Sequence, residues 1–195
     1  MLVGPASNPA DLPTDQRSDI FELFALLFQA CVSTQGTPNP VKFLSRYDKS
    51  ANNIRESYIW ICIGQTPWSE PYSSWYHRYV DFPFGALRAA SRLGEYTLVD
   101  RGSWYAIEEE VRREMKVYKE AMDAEEGDTL INPAIVLRGV RSEEKELAGE
   151  FVEWLVSREG GQEVIRTFEK GGVVLHSVAP DEADVLEGWR KGSRL

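Results

Sequence analysis

Histidine and cysteine are scarce in this sequence, with two of each, and neither pair forms a familiar metal or redox motif. Cys31 and Cys62 lie in apolar, helix-patterned segments and make no CxxC unit; His77 and His176 are far apart in the chain. Zinc ligands come in close pairs, so no metal site is expected. Both cysteines are expected to be buried free thiols, because cysteine among core-type neighbours is commonly buried.

Long apolar runs are also missing. The most apolar N-terminal stretch, Ile20 to Val32, is interrupted by Glu22 and Gln29 and has no basic segment before it. It fits neither a signal peptide nor a membrane span. Low-complexity tracts and internal repeats are absent, which argues against extensive disorder. Basic residues are outnumbered: 22 Lys and Arg against 31 Asp and Glu give a net charge of −9. A broad surface of that sign repels phosphate backbones and anionic bilayers, so nucleic-acid binding and membrane insertion are not expected. A small anion needs only a local cluster of donors and remains open as a ligand.

What is present is an ordinary globular composition, 43% hydrophobic over 195 residues, enough for one substantial core or two small lobes. Strand-like segments at 1–4, 41–44, 96–99, 131–137 and 173–175 alternate with helix-like ones. Ile20, Phe21, Leu23, Phe24, Leu27, Phe28 and Cys31 recur at three-and-four spacing, predicting a helix over 18–34 with Ser18 as its N-cap. A second helix is predicted from Ser50 or Asn52 to Ile63, with Ile54, Tyr58, Ile59, Trp60 and Ile61 on its apolar face and Gly64 as its stop. Further helices are predicted over 85–93, 142–157 and 161–170, with Phe151, Trp154 and Leu155 inward. Segment 108–119 is charged and fits a helix or a strand, and an acidic loop follows over 123–128. The alternation predicts an α/β layered fold.

Four ordered segments carry a resemblance to a known family. They are Val3-Gly-Pro-Ala-Ser-Asn-Pro-Ala-Asp-Leu12; Phe43-Leu-Ser-Arg-Tyr-Asp-Lys-Ser50; Gly85 through Glu95-Tyr-Thr-Leu-Val-Asp-Arg-Gly102; and Leu130-Ile-Asn-Pro133 with Phe151-Val-Glu-Trp-Leu-Val-Ser-Arg-Glu-Gly160. Together they resemble the tungstate-binding solute receptors of ABC transporters. That resemblance implies a type II periplasmic-binding-protein-like fold, with one complete lobe and a partial second lobe. Residues 1–110 would form the second, inserted lobe. Residues 111–195 would form the crossover and the C-terminal part of an incomplete first lobe. It also implies an N-terminally truncated form, lacking a Thr/Ser-rich loop that supplies part of the oxyanion site.

A tetrahedral oxyanion needs convergent donors, and a helix N-terminus supplies backbone N–H groups and a favourable dipole. Arg46, Asp48, Ser50 and Asn52, just before and at a predicted helix start, have that form, with Arg101 of the Asp100-Arg101-Gly102 turn as a further candidate. The plainer reading is an Arg46–Asp48 ion pair, a capping Ser50 and a structural turn at Arg101. The family's S-G-T stands here as Ser50-Ala-Asn52, which puts the oxyanion contact in doubt. The aromatic stretch Trp68, Tyr72, Trp75, Tyr76, Tyr79, Phe82 and Phe84 fits either an organic-ligand pocket or packing beneath a loop.

The resemblance implies a solute-binding protein for a tungstate- or molybdate-like anion, with an ABC permease as partner, located in the periplasm or secreted. Without a signal peptide in the sequence a cytoplasmic location stays open. The alternative is a repurposed stand-alone small-molecule-binding protein or enzyme, dimeric, that has lost oxyanion binding. No nucleophile–base pair, cofactor loop or catalytic residue stands out, so enzymatic activity is the weaker expectation. Sheet edges and apolar helix faces left by an incomplete lobe predict a homodimer.

Overall fold

The computed structural model describes residues 1–15, 17–121 and 128–179. They fall into two compact units, Met1–Pro133 and one beginning at Ala134.

The first unit contains five strands: β1 (Leu2–Pro5), β2 (Phe43–Ser45), β3 (Tyr76–Arg78), β4 (Thr97–Leu98) and β5 (Met115–Lys119). Between them lie α1 (Ile20–Ser33), α2 (Ala51–Cys62), α3 (Pro83–Leu93), α4 (Arg101–Ala106) and α5 (Glu109–Arg113). β1 pairs antiparallel with β4 on one side and β5 on the other. β2 and β3 are parallel, and Phe43 bridges in parallel to Tyr96, just ahead of β4. Leu44 N–H donates to the Tyr96 carbonyl at 2.7 Å, and Tyr96 N–H to the Lys42 carbonyl at 3.0 Å. The strands therefore run across the unit in the order β3-β2-β4-β1-β5.

Alternation along the strands sends successive side chains to opposite faces. Leu2, Phe43, Tyr76 and Leu98 pack with α1 and α2, where Phe24, Leu27, Ile59 and Trp60 are buried. Val3, Leu44 and Val99 pack with Ala86, Leu87 and Ala90 of α3 and Trp104 of α4. The result is a helix–sheet–helix sandwich. Its first face is aromatic: the Trp60 ring meets Phe24 edge-on at 4.7 Å and Phe43 at 5.3 Å, and Phe43 stacks on Tyr76 at 6.1 Å. Gly4 admits the Tyr96 ring, since a Cβ there would lie 2.2 Å from Tyr96 Cδ1.

Several expectations shift. α1 starts at Ile20 with Asp19 at the cap position and no side-chain cap bond, not at a Ser18 cap. The buried face of α2 runs through Asn53, Glu56, Ile59 and Trp60, while Ile54, Tyr58 and Ile61 are exposed. Buried hydrogen-bond partners for Asn53 and Glu56 turn the helix away from its most apolar stripe. Cys62, its last residue, is exposed, whereas Cys31 is fully buried; both are free. Segment 108–119 is both helix and strand, α5 and β5. β3 emerges from the aromatic stretch without having been expected. Residues 131–137 are not a strand; Ile135 and Leu137 are exposed there. Of the acidic loop, only Asp128 is among the described residues.

The second unit holds α6 (Lys145–Val156), α7 (Gly161–Thr167) and a hairpin of β6 (Glu169–Lys170) and β7 (Val173–Val174). Gly171 and Gly172, at φ 61° and 76°, form its two-residue turn, a conformation that favours glycine at both positions. Phe151 and Trp154 stack on each other at 5.9 Å but are half-exposed rather than inward. No residue of α6 is buried; the two-stranded β6–β7 hairpin leaves its apolar stripe uncovered among the described residues.

Candidate functional site at the carboxyl ends of β2 and β4

β2 and β4 are parallel neighbours whose exits diverge. From β2 the chain passes through α2 to β3 on one flank; from β4 it passes through α4 and α5 to β5 on the other. Such a divergence marks, outside the carboxyl ends, the usual ligand position in an open α/β sheet. Segment 46–50 leaves β2 there, and Asp100 and Arg101 follow β4.

Arg46 is only 9% exposed. Its Nη2 pairs with Asp48 Oδ2 at 2.5 Å, while its Nε is buried with no hydrogen-bond partner. Asp48 Oδ1 accepts the Ser50 N–H at 3.0 Å. Burial works to raise the Asp48 pKa, but the hydrogen bonds from Ser50 and Arg46 outweigh it and hold the carboxyl below its ordinary value. Ser50 caps α2, its Oγ accepting the Asn53 N–H at 3.3 Å. Asn52 Nδ2 donates to the Leu98 carbonyl at 2.8 Å, fastening the first turn of α2 to the end of β4.

Arg46, Asp48, Ser50 and Asn52 thus form one cluster at the start of α2. Arg101 opens α4 at the adjoining strand end. Its Nε pairs with Glu120 Oε1 at 2.5 Å and its Nη2 donates to the Ala121 carbonyl at 3.1 Å. Asp100 caps that helix, accepting from Ser103 N–H at 2.7 Å and Ser103 Oγ at 2.8 Å.

Tyr47 and Lys49 have φ of 46° and 60°, the left-handed region that costs a non-glycine residue about 1–3 kcal/mol. Side chains beneath hold them there. Tyr47 N–H donates to Ser45 Oγ at 3.2 Å, and Lys49 N–H to Asn53 Oδ1 at 3.1 Å. Ser45 and Asn53 in turn meet Glu56, which accepts from Ser45 Oγ at 2.9 Å, Asn53 Nδ2 at 3.4 Å and Tyr76 Oη at 2.7 Å. Burial pushes the Glu56 carboxyl up to about 7, although all three donors pull it the other way. In the sequence this layer shows only as the i, i+3, i+7 spacing of Asn53, Glu56 and Trp60.

The aromatic stretch divides. Trp75 and Tyr76 are core residues, with Trp68 packed against the core, whereas Tyr72 and Phe82 are exposed. The Arg78 guanidinium lies over the Tyr47 ring, 5.5 Å from its centroid.

The sandwich finds counterparts among known proteins. A solved structure described as that of a candidate metal-binding protein of the periplasm matches at 49% identity and TM-score 0.85, over 92% of this chain and 85% of its own. A candidate ABC transporter anion-binding protein of Haloferax volcanii is 31% identical over 118 residues, 60% of this chain and 30% of that protein. The tungstate-binding protein TupA is similar in two forms. That of Peptoclostridium acidaminophilum is 27% identical over 62% of this chain and 37% of its own. The solved structure of TupA from Desulfovibrio alaskensis G20, 22% identical, shares the fold at TM-score 0.68, over 92% of this chain and 66% of its own.

The chain belongs to the solute-binding protein family that includes the tungstate-binding TupA proteins. Its fold is that of the type II periplasmic binding proteins. The matched stretch spans about a third of the length of the curated family members it aligns with. No protein-family model matches it. Among the described residues no group of three His, Cys, Asp or Glu side chains is placed to hold a metal ion, and no helix is long and apolar enough to cross a membrane.

Proposed function

We propose that the protein is a solute-binding protein for a small oxyanion, tungstate or molybdate, serving an ABC-type permease in the periplasm. The observation that carries this reading is the buried Arg46 guanidinium at the sheet's switch point, with Nε unpartnered beside the N-terminal turn of α2. A buried donor without an acceptor costs on the order of 1–3 kcal/mol or more, which an incoming anion oxygen relieves. The names of the anion- and tungstate-binding family members support the ligand class.

On this reading residues 1–110 belong to the inserted lobe and 111–195 to the crossover and the C-terminal part of the first lobe, with β5 of the crossover paired to β1 in the first unit. Ser50, Asn52 and the α2 amides line the near side of the ligand, and Arg101 borders it. Complementary donors come from an opposing lobe that closes by a hinge. The exposed apolar residues of α6 support pairing with a second copy or with that lobe.

Asp48 favours a second reading. Its carboxylate already accepts from Arg46 and Ser50, as an anion would, which fits a dimeric small-molecule binder that has given up oxyanion capture. Calorimetric titration with sodium tungstate and sodium molybdate, of the chain alone and with an N-terminal lobe from a tungstate-binding protein added, separates the two. Heat of binding in either arm supports the oxyanion reading; none in both overturns it.

A further inference from the structure

Glu56 has no place in the ligand set, yet the side-chain bonds that hold Tyr47 and Lys49 of the Arg46 loop lead back to it. Ser45 Oγ accepts N–H from both Tyr47 and Asn53, the latter at 3.2 Å. Its hydroxyl proton goes to Glu56 Oε2, at 2.9 Å. Asn53 gives one amide proton to Ser45 and Glu56, so its oxygen faces the Lys49 N–H. An acceptor at Oε2 orients both side chains, and these in turn hold the two left-handed residues that flank Arg46 and Asp48.

We propose that Glu56 is a positioning residue for the oxyanion site: through Ser45 and Asn53 it fixes Tyr47 and Lys49 and so aims the Arg46 guanidinium. The proposal rests on the oxyanion reading for its purpose but not for its geometry. It separates the two carboxyl oxygens. Oε2 must accept, whereas Oε1 faces only the Tyr76 hydroxyl, which can donate or accept. Glutamine, with its oxygen towards Ser45 and its amide towards Tyr76, reproduces the arrangement; leucine does not.

The test is amide hydrogen exchange on the full chain without ligand, comparing wild type, Glu56→Gln and Glu56→Leu, with α1 amides as the reference for global opening. In Glu56→Leu the Tyr47 and Lys49 amides should exchange about tenfold faster relative to α1, and the NMR signal of Arg46 Nε–H should broaden. Glu56→Gln should restore both. If the leucine variant does not fold, Glu56→Ala, which leaves room for water around the released donors, takes its place.

Wild-type protection of both amides in the leucine or alanine variant overturns the proposal, as does failure of glutamine to rescue. A parallel sodium tungstate titration should show affinity about tenfold weaker in Glu56→Leu and little changed in Glu56→Gln. If wild type binds no tungstate, the oxyanion reading falls, and the exchange rates still decide the role of Glu56.

Discussion

Ser45, the last residue of β2, donates its hydroxyl proton to Glu56 in the second turn of α2, and this bond closes a polar layer inside an otherwise aromatic interface. Removing it should cost more than one ordinary hydrogen bond. In Ser45→Ala the Tyr47 N–H loses its acceptor in a part-buried setting and Glu56 Oε2 a donor in a buried one. The expected loss is about 1–3 kcal/mol, read as a lower urea midpoint with unchanged slope.

The protonation of Glu56 makes a second prediction with a definite sign. Its folded pKa is raised from 4.5 to about 7 by burial, with the Asp48 charge adding to the rise and the hydroxyl of Tyr76 and the donors of Ser45 and Asn53 opposing it. Between those values the native state holds a proton that the unfolded chain has released. The stability contribution is therefore full below pH 4.5 and is lost as pH rises through 7. Glu56→Gln mimics the protonated form. It should be more stable than wild type at pH 8, by on the order of 3 kcal/mol, with the gap closing towards pH 5 in denaturation series at both values.

Much of this was legible in the sequence, for identifiable reasons. Three-and-four spacing fixes α1 because its buried residues are all apolar, and glycine stops α2 because Gly64 takes a φ of 76°. The cluster Arg46, Asp48, Ser50 and Asn52 was visible because a loop leading into a capped helix is a local feature. The buried face of α2 was not, because hydrophobicity cannot show that Asn53 and Glu56 find partners on β2 and β3. β3 escaped notice because three residues, Tyr76–Arg78, carry no alternation that stands out from the aromatics around them. Residues 131–137 read as a strand on composition alone, yet strands need a partner, and none is present for them among the described residues.

The two cysteines should differ sharply in reactivity. Cys31 is fully buried and burial pushes its thiol up to about 12, with the Glu95 charge assisting, while Cys62 is exposed at the end of α2. Thiolate is the reactive form. A disulfide-exchange reagent should label one thiol in the native protein and two in denaturant, and Cys62→Ser should abolish the native labelling.

Gly4 tests the packing of β1. A methyl group at this position would overlap the Tyr96 ring, which lies against Tyr118 and whose hydroxyl donates to Asn8 Oδ1 and accepts from the Ala10 N–H. Gly4→Ala should destabilise by about 1–3 kcal/mol, lowering the melting temperature without altering α1 or α2 helicity in circular dichroism.

The oxyanion reading stands or falls with Arg46. Its most direct test is the thermal shift produced by rising sodium tungstate in the wild type and in Arg46→Gln, alone and with a supplied N-terminal lobe. A ligand of the native state raises its stability with concentration. The wild type should show a tungstate-dependent rise in melting temperature that sulfate-matched ionic strength does not reproduce, and Arg46→Gln should show none. Equal shifts in both proteins, or none in the wild type under either condition, would contradict the account.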